Sequence, residues 1–373
     1  MRGTVARKGK RWYAVVDEGR DEQGRRRQRW HSGYRTKREA EAALAEIIAT
    51  MGSGAYVKPV RQTVGLFLRE WLDGRRTQIR PSTWHGYRKN IEAHVIPHIG
   101  GLALQQLTPQ RLNTLYSSLP RRDGRGALSG RSIAHVHRLL HVALGDAVRW
   151  RLLPNNPADH ADPPRPQPTE MSVWTPAELR AFLEHVRQDR LYAAWLLAGS
   201  TGLRRGELLG ARWKDLDVGR LAVVQTLLDV GNQIRYSTPK TVKGRRLISL
   251  DPATVAALRE HRKGQIEERL ALGAWPDHDL MFTREDGEPI HPAWLTRAFR
   301  QRVKDAGVPR IRFHDLRHTH ATIMMRAGIH PKVVSERLGH ATVSITLDTY
   351  SHAVPSLQED AAERAAAVVF GTG

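Results

Sequence analysis

Cysteine is absent from the 373 residues. That excludes a disulfide framework, a thiolate zinc site and a cysteine nucleophile, and it suits a reducing cytoplasm. Long apolar runs are missing too. The longest, "AAWLLAG" at 193–199, falls well short of the roughly 18 to 20 residues a membrane span requires, so no membrane partner is expected. The basic N-terminal stretch "MRGTVARKGKRW" has no apolar segment behind it and does not read as a secretory signal. Acidic residues are scarce: 38 Asp and Glu stand against 59 Lys and Arg, a formal net charge of +21. A surplus spread along the whole chain calls for a polyanionic partner, and nucleic acid is the first candidate.

At this length the chain exceeds one ordinary domain of about 100 to 200 residues. Residues 1–57 read as a module of their own. Short strands surround Trp12, Tyr13, Val15, Trp30 and Tyr34, Asp21 to Gly24 forms a turn, and Thr36 caps a helix "KREAEAALAEIIATM". The strand holding Arg25, Arg26, Arg27 and Arg29 is a basic β-ribbon suited to a major groove, although a solvated hairpin would look the same. "GSGAYVKP" at 52–59 is a linker, and four helices follow within 60–155. Their apolar faces pack into a helical domain whose basic residues, Arg88 and Lys89 among them, suit phosphate contacts. The proline-rich "NNPADHADPPRPQPTE" at 155–170 predicts an extended, semi-rigid spacer. Residues 172–373 read as mainly helical, with strands between 219 and 250.

Four places in this last region gather polar residues. "TGLRRGELLGARW" at 201–213 puts Arg204 and Arg205 at the start of an apolar helix, and "STPKTVKGRRLISL" puts Lys240 in a turn between strands. "FHDLRHTHAT" at 313–322 supplies His314 and Arg317, and "LGHATVSITLDTYSH" supplies His340 and Tyr350. His314 and His318 sit four apart, as zinc ligands on a helix can, but no acidic partner stands between them and Arg317 would oppose a dication. The bland alternative is a helix start capped by Asp315, with His318 or His320 hydrogen-bonded inside. The assembled set points elsewhere. Two arginines, a lysine, two histidines and a tyrosine, without an acidic cluster for magnesium, suit metal-free attack on a phosphodiester. A tyrosine hydroxyl of pKa about 10 needs a base. His314 is the natural one, and Lys240 can protonate the departing oxygen.

On "TGLRRGEL", "TPKT", "HDLRHTHAT", "LGH" and "LDTYSH", in that order, the chain strongly resembles the tyrosine recombinases, or phage-type integrases. The resemblance implies a multidomain, mainly α protein with three parts. An arm-type DNA-binding domain at 1–57 would be a three-stranded sheet plus a helix. A helical SAM-like core-binding domain would span 60–155, and a mostly helical catalytic domain with a small β-sheet would span 172–373. It also implies catalytic roles for Arg204, Lys240, His314, Arg317 and His340, with Tyr350 as the nucleophile of a 3′-phosphotyrosyl bond and Glu207 as a support behind the site. No metal or cofactor is implied. Lys243, Arg245 and Arg246 are expected to touch phosphate, and His318 and His320 to scaffold their helix. The expected partners are double-stranded DNA attachment sites and three further copies of the chain, with an accessory bending or directionality protein. The apolar tail "DAAERAAAVVFG" would dock on a neighbouring subunit, and the expected location is cytoplasmic, on the nucleoid. A type IB topoisomerase and a DNA-binding regulator that never cuts remain open alternatives.

Overall fold

The structure, a computed structural model, describes residues 3–20, 23–52, 57, 59–119, 126–166, 171–239, 244–276, 278–350, 366–367 and 369–371. The chain divides into two compact units, Met1–Pro168 and Thr169–Gly373. Both are built mainly of helices with small antiparallel sheets. Among the described residues, no helix is long and apolar enough to cross a membrane.

The first unit opens with the sheet β1 (Gly3–Lys8), β2 (Arg11–Arg20) and β3 (Arg26–Tyr34), in that spatial order. Tyr13 and Trp30 meet edge to face across β2 and β3, their centroids 5.7 Å apart. Helix α1 (Lys37–Gly52) lies against the sheet, and Ala40 is buried with Ala14, Val15 and Val16. Its start is fixed reciprocally: Thr36 Oγ1 accepts the Glu39 N–H at 3.2 Å, and Glu39 Oε2 accepts the Arg35 N–H at 2.9 Å. The turn expected at 21–24 and the linker expected at 52–59 fall partly outside the described residues.

The helical bundle of this unit comprises α2 (Val64–Gly74), α3 (Pro81–Asn90), a π-helix (Ile91–Val95), α4 (Ile96–Ile99), α5 (Pro109–Ser118) and α6 (Gly130–Arg149). Thr63, Thr108 and Ser129 cap α2, α5 and α6, each accepting the N–H three residues on at 3.3 Å. The π turn sits just ahead of Pro97, whose missing N–H and bulky ring disfavour regular α-helical pairing there. The proline stretch departs from expectation at its start. Pro157–His160 forms a 3-10 turn, and Ala158 and Ala161 are buried in the helical core. Asn156 holds this turn, donating to His141 O at 3.0 Å and accepting the Ala158 N–H at 3.0 Å. Capping chemistry and two small apolar residues thus outweigh the extended tendency of proline.

In the second unit α7 (Pro176–His185) begins with the capping box that Thr175 and Glu178 predict. Then come α8 (Tyr192–Thr201), α9 (Arg205–Leu209), β4 (Leu216–Asp217), β5 (Arg220–Val223), β6 (Thr226–Val230), β7 (Gln233–Ser237) and β8 (Arg246–Ser249). The rest is helical: α10 (Pro252–Leu272), α11 (Pro292–Asp305), α12 (Asp315–Arg326), α13 (Pro331–Leu338) and α14 (Val343–Tyr350). The strands form a β4-β5-β8 sheet and a β6-β7 hairpin. Helix α8 is apolar on every side, so it becomes the buried centre with α10 and α12 against it. Phe299 of α11 joins Phe182, Trp195 and Phe313 in an aromatic core with centroids 5.4 to 6.0 Å apart. Phe313 immediately precedes His314, so this core anchors the start of α12.

Asp146 of α6 is the main buried polar group in the bundle, 2% exposed. Its carboxylate accepts from Trp71 Nε1 at 2.7 Å and pairs with Arg75 and Arg149. Replacing it strands the indole N–H and leaves two guanidiniums without their anion. Asp146→Ala is expected to cost about 2 to 4 kcal/mol in a urea unfolding series on the full chain. A loss under about 0.5 kcal/mol would show that the pairs are no better than surface ones.

Candidate active site

Helix α8 ends at Gly202, whose φ of +64° is the left-handed conformation that closes a helix without a Cβ penalty. A Cβ at this position would meet Leu338 at 2.7 Å and His320 at 3.2 Å, so the glycine also admits α12 and α13. Two residues on, Arg204 stands at the N-cap of α9. Glu207, 5% exposed, accepts the Arg204 backbone N–H at 3.0 Å and Arg204 Nη1 at 2.7 Å. It also accepts Arg246 Nη1 at 3.2 Å and Nη2 at 2.9 Å. Burial alone would raise the Glu207 pKa, but hydrogen bonds and charge from Arg246, with the charge of Arg204, hold it below the ordinary carboxylate value.

The start of α12 differs from the bland alternative of an Asp315 cap. His314 occupies the N-cap position without a side-chain cap bond. The Asp315 carboxylate instead accepts the Arg312 backbone N–H at 2.7 Å and its guanidinium at 2.7 Å. This leaves His314 exposed at the surface of the site, with its ring edge to face against His318 at 5.2 Å. Among the described residues, no group of three His, Asp or Glu side chains could hold a metal ion. One turn further, Arg317 is buried and spans two carbonyls, Gly202 O at 3.0 Å and Leu338 O at 2.7 Å.

Helix α13 ends at Gly339, left-handed at φ +69°. His340 follows, and its Nδ1 pairs with Thr346 Oγ1 of α14 at 2.8 Å. Gly339 O accepts Arg204 Nη2 at 3.3 Å. Arg204, Arg317 and His340 therefore converge on the C-terminal end of α13. Burial, then the charges of Arg317 and Arg204, push the His340 pKa down to about 4. Partial burial and the neighbouring Arg317 also lower that of His314, and chiefly burial takes His318 to about 4. All three imidazoles are neutral near pH 7. Tyr350 is the last residue of α14; its side chain, like Lys240 and Lys243, lies outside what is described.

The expected DNA-contact residues are scattered. Arg88 and Lys89 are exposed on α3, where Arg88 also stacks over Trp84 at 5.5 Å. Arg29 donates to Pro59 O at 3.1 Å, Arg25 pairs with Gln23, and the backbones of Arg26 and Arg27 lie in β3 while their side chains are outside the described set. Arg245 is exposed, but Arg246 is not the phosphate contact expected of it: its side chain is 6% exposed and paired with Glu207. Period-two alternation could have revealed this, because Arg246 shares a strand face with buried Ile248 while Leu247 points out. A second unforeseen residue is Arg337, which donates to His320 Nε2 at 3.2 Å, Ser249 O at 2.9 Å and Ser200 O at 3.1 Å.

Three family patterns match the sequence: an Arm DNA-binding domain at residues 5–51, a Phage integrase N-terminal SAM-like domain at 63–119 and the Phage integrase family at 173–356. A tyrosine recombinase XerC-like protein of Caldanaerobacter subterraneus subsp. tengcongensis is 30% identical over 379 residues, covering 95% of this chain and 96% of that one. An integrase of Streptomyces ambofaciens is 28% identical, covering 92% of this chain and 89% of its own. Among solved structures, the Tn1549 transposon integrase in complex with transposon right end DNA superposes with a TM-score of 0.69 at 24% identity, over 81% of this chain and 99% of that chain. A lambda integrase tetramer bound to a Holliday junction gives 0.58 at 17% identity, over 91% of this chain and 92% of that chain.

His320 is the most deeply buried of the site's histidines, and burial with the charges of Arg337 and Arg317 pushes its pKa down to about 3. A histidine whose folded pKa lies below its unfolded value of 6.5 binds a proton more readily when unfolded. Its contribution is complete above pH 6.5 and is lost as pH falls toward the folded value. Stability should therefore rise from pH 4 to pH 7. His320→Gln, which keeps a donor and an acceptor but does not titrate, should reduce that slope by about 1.4 kcal/mol per pH unit in urea titrations. An unchanged slope would refute the assignment.

Proposed function

Because the chain belongs to the phage integrase family of tyrosine recombinases, we propose that it is the integrase of a phage or integrative element, cutting and rejoining DNA at specific attachment sites. The observation that carries this reading is the convergence of Arg204, Arg317 and His340 on the end of α13, with His314 at the start of α12 and Tyr350 closing α14. The domains are proposed at 1–57 for arm-site binding, 60–155 for core-site binding and 172–373 for catalysis.

In the proposed reaction the Tyr350 hydroxyl attacks the scissile phosphorus. Neutral His314 takes the phenolic proton, a P–O bond to the tyrosine forms, and the bond to the 5′ oxygen breaks. Lys240 gives that oxygen its proton, leaving a free 5′-hydroxyl. Arg204 and Arg317 stabilise the negative charge gathering on the non-bridging oxygens, and His340, oriented by Thr346, adds a hydrogen bond. The phosphotyrosine conserves the energy of the broken bond, so attack by a second DNA 5′-hydroxyl reverses the chemistry without ATP. Four protomers would pair two sites and exchange strands through a Holliday junction, helped by a DNA-bending or directionality protein. The work would take place in the cytoplasm, on nucleoid DNA.

Mapping the element's junctions supplies the cognate site, and a nicked version of it incubated with the protein in EDTA provides the assay. Wild type should give an SDS-resistant covalent adduct. Tyr350→Phe should bind the site normally and form none. Arg317→Ala should slow adduct formation by several kcal/mol of transition-state stabilisation, about the loss seen when a preorganised donor is removed from a developing oxyanion. Wild type that binds its site yet never forms an adduct would overturn the reading.

A further inference from the structure

The C-terminal turn of α13 offers three successive backbone carbonyls, and each accepts from a different arginine. Arg337 O accepts Arg246 Nε at 2.6 Å, Leu338 O accepts Arg317 Nη2 at 2.7 Å, and Gly339 O accepts Arg204 Nη2 at 3.3 Å. Carbonyls at a helix end have no partner within the helix and carry the negative pole of its dipole, so they are natural seats for cations. Two of these guanidiniums belong to the proposed phosphate clamp. The third, on β8, has no assigned role, yet its side chain is buried at 6% exposure and paired with Glu207.

We propose that Arg246 is a positioning residue for strand cleavage, bridging the Glu207 carboxylate and the Arg337 carbonyl so that Arg204 and Arg317 are aimed together at the scissile phosphate. One end of its fork meets both oxygens of Glu207, at 3.2 and 2.9 Å, and that carboxylate in turn holds the backbone and guanidinium of Arg204. Its Nε holds the turn that carries the acceptors for Arg204 and Arg317. Arg246 therefore fixes the distance between the start of α9 and the end of α13, the two walls on which the clamp is mounted. It touches no substrate atom itself. A lysine keeps the charge but cannot donate to a carboxylate and a carbonyl on opposite sides in one plane.

The proposal rests on reading Arg204 as part of the phosphate clamp, and the experiment separates the two. Adduct formation is measured in single turnover on the mapped site, with either a normal scissile phosphate or a methylphosphonate. The methyl group removes the charge that the clamp stabilises, so a defect in the clamp matters less on that substrate. Arg246→Gln and Arg246→Lys should bind the site within about threefold of wild type, since affinity resides in the many other phosphate contacts. Both should cleave the phosphate about 10- to 100-fold more slowly, the range expected when reacting groups are displaced by up to about 1 Å. Arg246→Lys should be the milder, and both deficits should shrink on the methylphosphonate in parallel with that of Arg204→Ala. Cleavage at the wild-type rate, or deficits of equal size on both substrates while that of Arg204→Ala shrinks, would overturn the proposal and leave Arg246 a general packing residue. If Arg204→Ala shows no shrinkage, the clamp reading of Arg204 fails, and with it the premise. Should Arg246→Gln not fold, as judged by lost binding and melting, Arg246→Lys alone decides.

Discussion

The end of one short helix sets the arrangement of the second unit. Arg204, Arg246 and Arg317 come from α9, β8 and α12, remote in sequence, and meet at three adjacent carbonyls of α13. Gathering like charges is unfavourable unless something of opposite sign lies among them. Here the compensation has two parts, the helix-end carbonyls and the buried carboxylate of Glu207. The result is guanidiniums fixed in orientation while the cluster retains net positive charge. Such a cluster suits a phosphodiester, whose negative charge it can receive.

Burial, reinforced by the same charge, sets the state of the histidines. His314, His318, His320 and His340 all lie close to these arginines, and burial together with cationic neighbours makes a second positive charge on any imidazole costly. Neutral imidazoles can accept a proton or donate one hydrogen bond, the two tasks that an attacking phenol and a phosphate oxygen demand. The placement of His314 matters in this respect. Asp315 is engaged by Arg312, so it neither caps the helix through its neighbour nor draws His314 into an ion pair, and the imidazole stays at the open side.

Much of this was legible in the sequence, because its signals are local. Thr36, Thr108 and Thr175 announce helix starts, the aromatic alternation marks the three-stranded sheet, and five short motifs in order point to one family. What escaped was the result of long-range pairing. Arg246 reads as one more basic residue in "KGRRL"; strand alternation hints that it faces inward, but its pairing with Glu207, 39 residues away, shows only in the fold. Arg337 likewise looks like an exposed cation, yet it bonds to His320 between α13 and α12. Proline counting misjudged Asn156 to Ala161, since a local Asn cap and two buried alanines decide that segment.

Arginines that are to act on a DNA phosphate must be oriented in advance. A magnesium ion can arrive with the substrate and organise the oxygens around itself, whereas guanidiniums on flexible stems must be held in place beforehand or they lose the advantage of preorganisation. Holding them by side-chain carboxylates alone would neutralise the charge they are meant to offer. Backbone carbonyls avoid this, because they orient an arginine through a hydrogen bond and carry only partial charge. The glycine at 339 makes the device geometrically possible, since its left-handed turn ends the helix and leaves the last carbonyls free to accept from outside it. Placing these carbonyls just before His340 and α14 has a further consequence. The segment that orients the arginines is continuous with the one that ends in Tyr350, so the proposed phosphate clamp and the proposed nucleophile share one mounting.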